Sequence, residues 1–146
     1  MLLAIDPGND CGWATFDTLG RLQACGLGNP LDHVPPAWVM KVLIECPRLR
    51  PRGEKNPNAI LKVVRGAGEY GGAYRAALVS YVLPNDWKGS CPKEVSNART
   101  WATLFPEEQV IVDTYFASAK GRNGLAPSKR HNVLDAIGIG LWGVGR

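Results

Sequence analysis

Two short apolar runs each end on a carboxylate: Leu2-Leu3-Ala4-Ile5 on Asp6, and Val42-Leu43-Ile44 on Glu45. A run that is apolar at every position, rather than at alternate ones, reads as a strand buried on both faces, the pattern of a central strand in a parallel or mixed α/β sheet. A charge closing such a strand sits where the sheet meets solvent. If the two strands are parallel neighbours, both carboxylates emerge at one carboxyl edge, where open α/β sheets bind ligands. Acids a few ångströms apart raise each other's pKa unless a cation lies between them. Oxygen ligands select hard divalent ions, so Mg²⁺ or Mn²⁺ is the expected cofactor.

The remaining elements follow from periodicity and punctuation. Residues 12–16 and 22–27 read as two more strands, joined through Thr18-Leu19-Gly20-Arg21 as an antiparallel hairpin. The second apolar run is expected as a strand over 38–44. A helix is expected over 57–71, with Asn56 as its cap and Pro57 in its first turn. A strand over 77–83 stops at Pro84, a helix runs from Pro92 to about Leu104, and 110–112 reads as a short strand. Residues 117–130 form a basic, glycine-containing loop. Ser128 is the expected cap of a last helix whose apolar side is Val133, Leu134, Ile137, Leu141 and Trp142. Its glycines, at 138 and 140, would let it approach a sheet closely. The order implies a mixed sheet, with an antiparallel hairpin edge and parallel strands joined by helices. A chain of 146 residues fits one domain around one core.

A third acid, Asp135, lies among apolar neighbours on the last helix. Asn132 is three residues before it and His131 four before it, so both share its face. Acids from two strand ends and a helix suit a two-metal phosphodiesterase site. The formal net charge is only +4, but the cations cluster: Arg48, Arg50, Arg52, Lys55, Lys62 and Arg65 in one span, Lys120, Arg122, Lys129 and Arg130 in another. Such clusters point to a polyanion, with nucleic acid the expected partner. No apolar run reaches the ~18 residues that span a bilayer, and no leader pattern opens the chain. A cytoplasmic protein with no membrane partner is therefore expected. Cys11, Cys25, Cys46 and Cys91 form no C-x-x-C pair and read as reduced thiols rather than a zinc site.

These motifs together resemble the RuvC-type Holliday-junction resolvases of the RNase H-like superfamily, in a short phage-type form. The resemblance rests on LAIDPG followed by GWATFD, on VLIE before a basic loop and helix, on YVLPNDWKGSCPKEV, and on NVLDAIGIGLWG, and it covers nearly the whole chain. It implies an RNase H-like five-stranded mixed sheet flanked by helices. It also implies metal ligands at Asp6, Glu45, Asn132 and Asp135, with His131 as the alternative to Asn132, and lysines near the scissile phosphate at Lys88 and Lys93. The implied activity is metal-dependent resolution of four-way DNA junctions in a bacterial or phage-infected cell. A homodimer would make paired symmetric nicks that leave 5′-phosphate and 3′-hydroxyl ends, with two metal ions per site.

Two positions depart from the family pattern. Asn132 replaces the first acid of a D-x-x-D pair, and Arg48 stands where the family often has a junction-opening aromatic, for which Tyr70 and Trp87 are the candidate substitutes. The helix over 57–71, with Ala59, Gly66, Ala67 and Gly68, is the candidate dimer face. The same residues would also serve a broader RNase H-like or branched-DNA nuclease, or a non-catalytic junction-binding protein.

Overall fold

The computed structural model describes residues 1–47, 57–119 and 124–146. Its centre is strand β1 (Leu2–Asp6), which pairs antiparallel with β2 (Gly12–Phe16) and parallel with β4 (Lys41–Glu45). β3 (Leu22–Leu27) and β5 (Leu78–Val82) are the edges, giving the order β3-β2-β1-β4-β5. Between β3 and β4 the chain makes two single-turn 3₁₀ segments, at Pro30–Asp32 and Pro36–Trp38. The helices are α1 (Pro57–Ala73), α2 (Pro84–Trp87), α3 (Lys93–Thr103), α4 (Pro106–Ser118) and α5 (Pro127–Gly143). This is the expected RNase H-like mixed sheet flanked by helices.

The unbroken apolar character of β1 and β4 is explained by a core on each face of the sheet. On one side Leu3, Ile5, Val42 and Ile44 pack with Trp13 and with Ala67 and Tyr74 from the α1 region. On the other, Leu2, Ala4, Ala14, Phe16 and Leu43 pack with Val112, Val133, Ile137 and Ile139 of α4 and α5. The glycines of α5 do what their spacing suggests. A Cβ at Gly140 would overlap the Phe16 ring, and one at Gly12 would overlap the Asn132 carbonyl, so helix and sheet are in backbone-level contact.

Several local expectations are corrected. Residues 110–112 are not a strand but the middle of α4. Pro106 in its first turn and Glu108, whose Oε2 accepts from the Phe105 amide at 2.8 Å, start a helix there. Burial of Val112 and Phe116, four apart against the sheet, outweighs the β-branched preference of Val110-Ile111-Val112. The fourth strand begins at Lys41 rather than 38, because Pro35 and Pro36 set a 3₁₀ turn that ends at Trp38. Ser128 does not cap α5: Pro127 begins the helix, Ala126 holds the cap position without a side-chain bond, and Ser128 falls inside the first turn. Between the strand that stops before Pro84 and the helix after Pro92 the chain forms a further short helix, α2, that the sequence pattern does not predict, and the expected cap Asn56 lies outside the described residues. The 18–21 turn forms as expected, with the Asp17 carboxylate accepting from the amides of Leu19 and Arg21 at 2.8 and 2.9 Å and Gly20 at φ 74°. No helix among the described residues is long and apolar enough to cross a membrane.

The sheet edge at β3 is closed by side chains of α4. Glu108 Oε1 accepts from the Leu22 amide at 2.8 Å, and the Tyr115 hydroxyl accepts from the Leu27 amide at 2.7 Å. Occupied edge amides cannot template another strand. Glu108 is itself buried, and Arg146 meets it with two parallel bonds of 2.8 Å while also donating to the carbonyls of Gly20 and Thr103. Burial pushes the Glu108 carboxyl up, but the Arg146 guanidinium and the amides of Leu22 and Phe105 outweigh it and bring it from 4.5 to about 2. The folded pKa is lower than the unfolded one, so this stabilisation is present above about pH 4.5 and is lost as pH falls toward 2. Glu108→Gln should therefore cost about 3 kcal/mol at pH 7. The gap between variant and wild type should close as urea melts are repeated from pH 5 down to pH 2, and a gap independent of pH would remove the pair from the account.

Candidate active site

Parallel pairing sets Ile5 opposite Ile44. The next residue of each strand is an acid, so Asp6 and Glu45 leave the carboxyl edge side by side. α5 brings the third. Its contact with Gly12, the residue paired with Asp6 across β2, seats the helix at this same end of the sheet. One turn later Asp135 is buried facing the cluster. The electrostatics record the meeting. Burial, then the charges of Glu45 and Asp135, raise the Asp6 carboxyl from 3.8 to about 7, against a smaller lowering by Lys88 and Lys93.

Each of the other two acids has a lysine. Lys88 Nζ lies 3.3 Å from Glu45 Oε2, and Lys93 Nζ lies 3.6 Å from Asp135 Oδ2. Lys88 follows α2, the short helix just past β5, and Lys93 opens α3, so both come from the segment that crosses this edge. Glu45 Oε2 also accepts a 2.7 Å bond from the indole Nε1 of Trp87. Among the described residues, Asp135 Oδ1 is buried without a hydrogen-bond partner. A buried, unpartnered carboxylate oxygen beside two more acids is a site that wants positive charge.

The donor set therefore fits a hard divalent cation in charge and chemistry: three carboxylates, with the half-buried His131 and Asn132 one helical turn before Asp135. As the side chains stand, no three His, Cys, Asp or Glu among the described residues are gathered tightly enough to hold a metal. The two lysines supply the nearby positive charge instead.

The expected DNA-gripping cations divide. Arg48, Arg50, Arg52, Lys55, Lys120 and Arg122 lie outside the described residues. Lys62 is exposed on α1 and donates to Asn9 Oδ1 at 2.8 Å, beside a cleft of about 410 Å³ between the Pro7-Gly8-Asn9 turn and α1. Lys129 pairs with Asp10 at 2.8 Å, tying the start of α5 to the loop after Asp6. Arg130 donates to the Leu125 carbonyl at 3.2 Å and lies over the Phe116 ring. Of the two aromatics considered as junction wedges, Trp87 is engaged with Glu45, and the Tyr70 hydroxyl bonds the Cys11 thiol. The contact that sequence reasoning missed is that indole bond. Its signal was present, since a tryptophan directly before Lys88 needs an acceptor for its N–H once it is packed.

The folded pKa of Asp6 lies above its unfolded value, so the contribution of this group to the stability of the metal-free protein is fully present below about pH 4 and is lost as pH rises through 7. Asp6→Asn removes that charge. At pH 8 it should stabilise the metal-free protein by on the order of 1–3 kcal/mol, read as a higher Tm. A variant that melts below the wild type at pH 8 would contradict the buried-acid cluster.

No family model matches the chain, and no curated protein matches it in sequence. Among solved structures it is similar to Thermus thermophilus RuvC in complex with a Holliday junction substrate, with TM-score 0.60 and 16% identity over 96% of this chain and 89% of that one. A second Thermus thermophilus RuvC structure is also 16% identical, over 96% of this chain and 90% of that one, with TM-score 0.49. The likeness is one of fold: strand order, the mixed pairing and the flanking helices give this chain a RuvC-type, RNase H-like fold.

Proposed function

We propose that the protein is a divalent-metal-dependent endonuclease that resolves four-way DNA junctions. The observation that carries this reading is the convergence of Asp6, Glu45 and Asp135, with Lys88 and Lys93, at the carboxyl edge of β1 and β4. The RuvC-type fold, met in the neighbouring structure with a junction bound, agrees with it.

In this reading Asp6, Glu45 and Asp135, with His131 or Asn132, hold Mg²⁺ or Mn²⁺. The bound ions would supply the activation of water and the stabilisation of the leaving 3′ oxygen that phosphodiester hydrolysis requires. The chain's own residues do the rest. The carboxylates stay ionised once their charge is balanced, and Asp6 in particular is held ready by burial to gain from a cation. Lys88 and Lys93 are within reach of the same space and offset charge on the phosphate being cut. The basic residues of the two clusters, including Lys62 and Lys129, grip backbone phosphates without reading bases.

A four-way junction is two-fold symmetric, so a homodimer would place two such sites on matched strands. The outer face of α1 is the proposed contact. Leu61, Val64, Ala59 and Gly68 are exposed there, whereas Ala67 is buried in the core and belongs to sheet packing instead.

Labelled four-way junctions in Mg²⁺ test the reading. Wild type should make paired nicks at matched positions, and Asp6→Asn should bind but not cut. Mg²⁺ or Mn²⁺ should raise the Tm of wild type and leave that of Asp6→Asn unchanged. Junction affinity should fall by at least about tenfold from low to physiological salt. Equal nicking by both proteins would remove Asp6 from the chemistry. Equal cutting of RNA–DNA hybrids would favour the broader RNase H-like nuclease.

A further inference from the structure

Trp87 meets the cluster twice. Its indole Nε1 donates to Glu45 Oε2 at 2.7 Å, and the Lys88 ammonium lies 4.6 Å from its ring centroid. The first contact fixes which way the Glu45 carboxylate turns. The second holds Lys88 over a π face while Lys88 reaches the same carboxylate oxygen. The indole is fixed in its turn. α2 presents it just past β5, and the Asp86 carboxylate that closes this turn accepts from the Leu83 amide at 2.9 Å. The far side of the ring rests on α5 at Gly138, where a Cβ would come within 2.5 Å of Trp87 Cζ3 and 2.9 Å of Thr100 Oγ1. Gly138 is buried, three residues after Asp135 on the same helix. One rigid helix therefore carries one acid of the cluster directly and braces a second through an indole.

We propose that Trp87 is a positioning residue of the site, with its N–H orienting Glu45, its ring face seating Lys88, and Gly138 providing the space that lets it do both. The proposal deepens the nuclease reading and rests on it for the consequence, but the contact itself is tested in the free protein. The family resemblance makes Trp87 a candidate wedge for opening junctions, and the contacts with Glu45 and Lys88 give it a different task. Outer contacts of this kind commonly change metal affinity or activity by 10- to 100-fold.

The experiment compares wild type with Trp87→Phe, which keeps a ring and removes the donor, and with Gly138→Ala. The chain has five tryptophans. The indole ¹H–¹⁵N resonance lost in Trp87→Phe should shift in the metal-free protein on Glu45→Gln and on Gly138→Ala. Trp87→Phe should melt close to wild type and bind junctions with unchanged affinity. Its Mn²⁺ affinity, measured by electron paramagnetic resonance, and its nicking rate at saturating junction should each fall by about 10- to 100-fold. Gly138→Ala should reproduce these losses, and the double variant should add little to either.

A folded Trp87→Phe that matches wild type in Mn²⁺ affinity and nicking rate overturns the proposal, as does an indole resonance indifferent to both substitutions. If Trp87→Phe does not fold, Gly138→Ala decides by the same readouts. A wild type that cuts no junction but loses Mn²⁺ affinity on Trp87→Phe would remove the nuclease reading and keep the positioning role. A wild type that neither binds Mn²⁺ nor cuts would overturn both.

Discussion

The parallel pairing of β1 with β4 is the constraint on which the rest depends. With Ile5 set opposite Ile44, the next residue on each strand is forced to the same edge, and both are acids. The apolar residues behind them bury both faces of the sheet and hold that register, because a one-residue slip would exchange the residues facing each core. The core thus keeps two carboxylates close together although they repel. The stability of the packed strands is what permits an unfavourable charge arrangement at their ends.

Helix α5 adds the third acid by the same logic. Gly140 of the helix closes on the Phe16 ring and Gly12 of β2 on the Asn132 carbonyl, and that close approach carries Asp135 into a buried position with one oxygen unpartnered among the described residues. Lys88 and Lys93 then lie against Glu45 and Asp135, leaving Asp6 with its carboxyl raised to about 7. With side chains at those glycine positions the helix would stand farther from the sheet, and the three acids would separate.

The chain handles buried carboxyls in two opposite ways. Glu108 is surrounded by donors, two from Arg146 and two from backbone amides, and its pKa falls to about 2 despite burial. At Asp6 burial, then the charges of Glu45 and Asp135, outweigh Lys88 and Lys93, and its pKa rises. The first arrangement joins the β2–β3 hairpin to α4 and to Arg146, so it serves the fold. The second opposes folding and makes sense as a site that gains from a cation. Burial raises both carboxyls, and the partners decide whether that rise is overcome.

Much of this was readable along the chain. Leu2 to Ile5 and Val42 to Ile44 announced central strands, Asp6 and Glu45 stood out as charges at their ends, and the i, i+3, i+4 spacing from Val133 to Trp142 outweighed the alternation of Ile137-Gly138-Ile139-Gly140-Leu141, giving a helix. Such features are local, since they depend on burial period, turn sterics and the conformational range of Pro and Gly. The helical state of 110–112 was not readable from β-propensity, because the packing of Val112 and Phe116 on the sheet decided it. Nor could the sequence alone show that Arg146 answers Glu108 or that Trp87 answers Glu45. By itself, then, the sequence determined the five strands of the sheet, the helices α1, α3 and α5 and the acids they carry, because short-range pattern controls those. The tertiary structure alone decided which charges meet, because their partners come from distant parts of the chain and are matched by packing rather than by any local period.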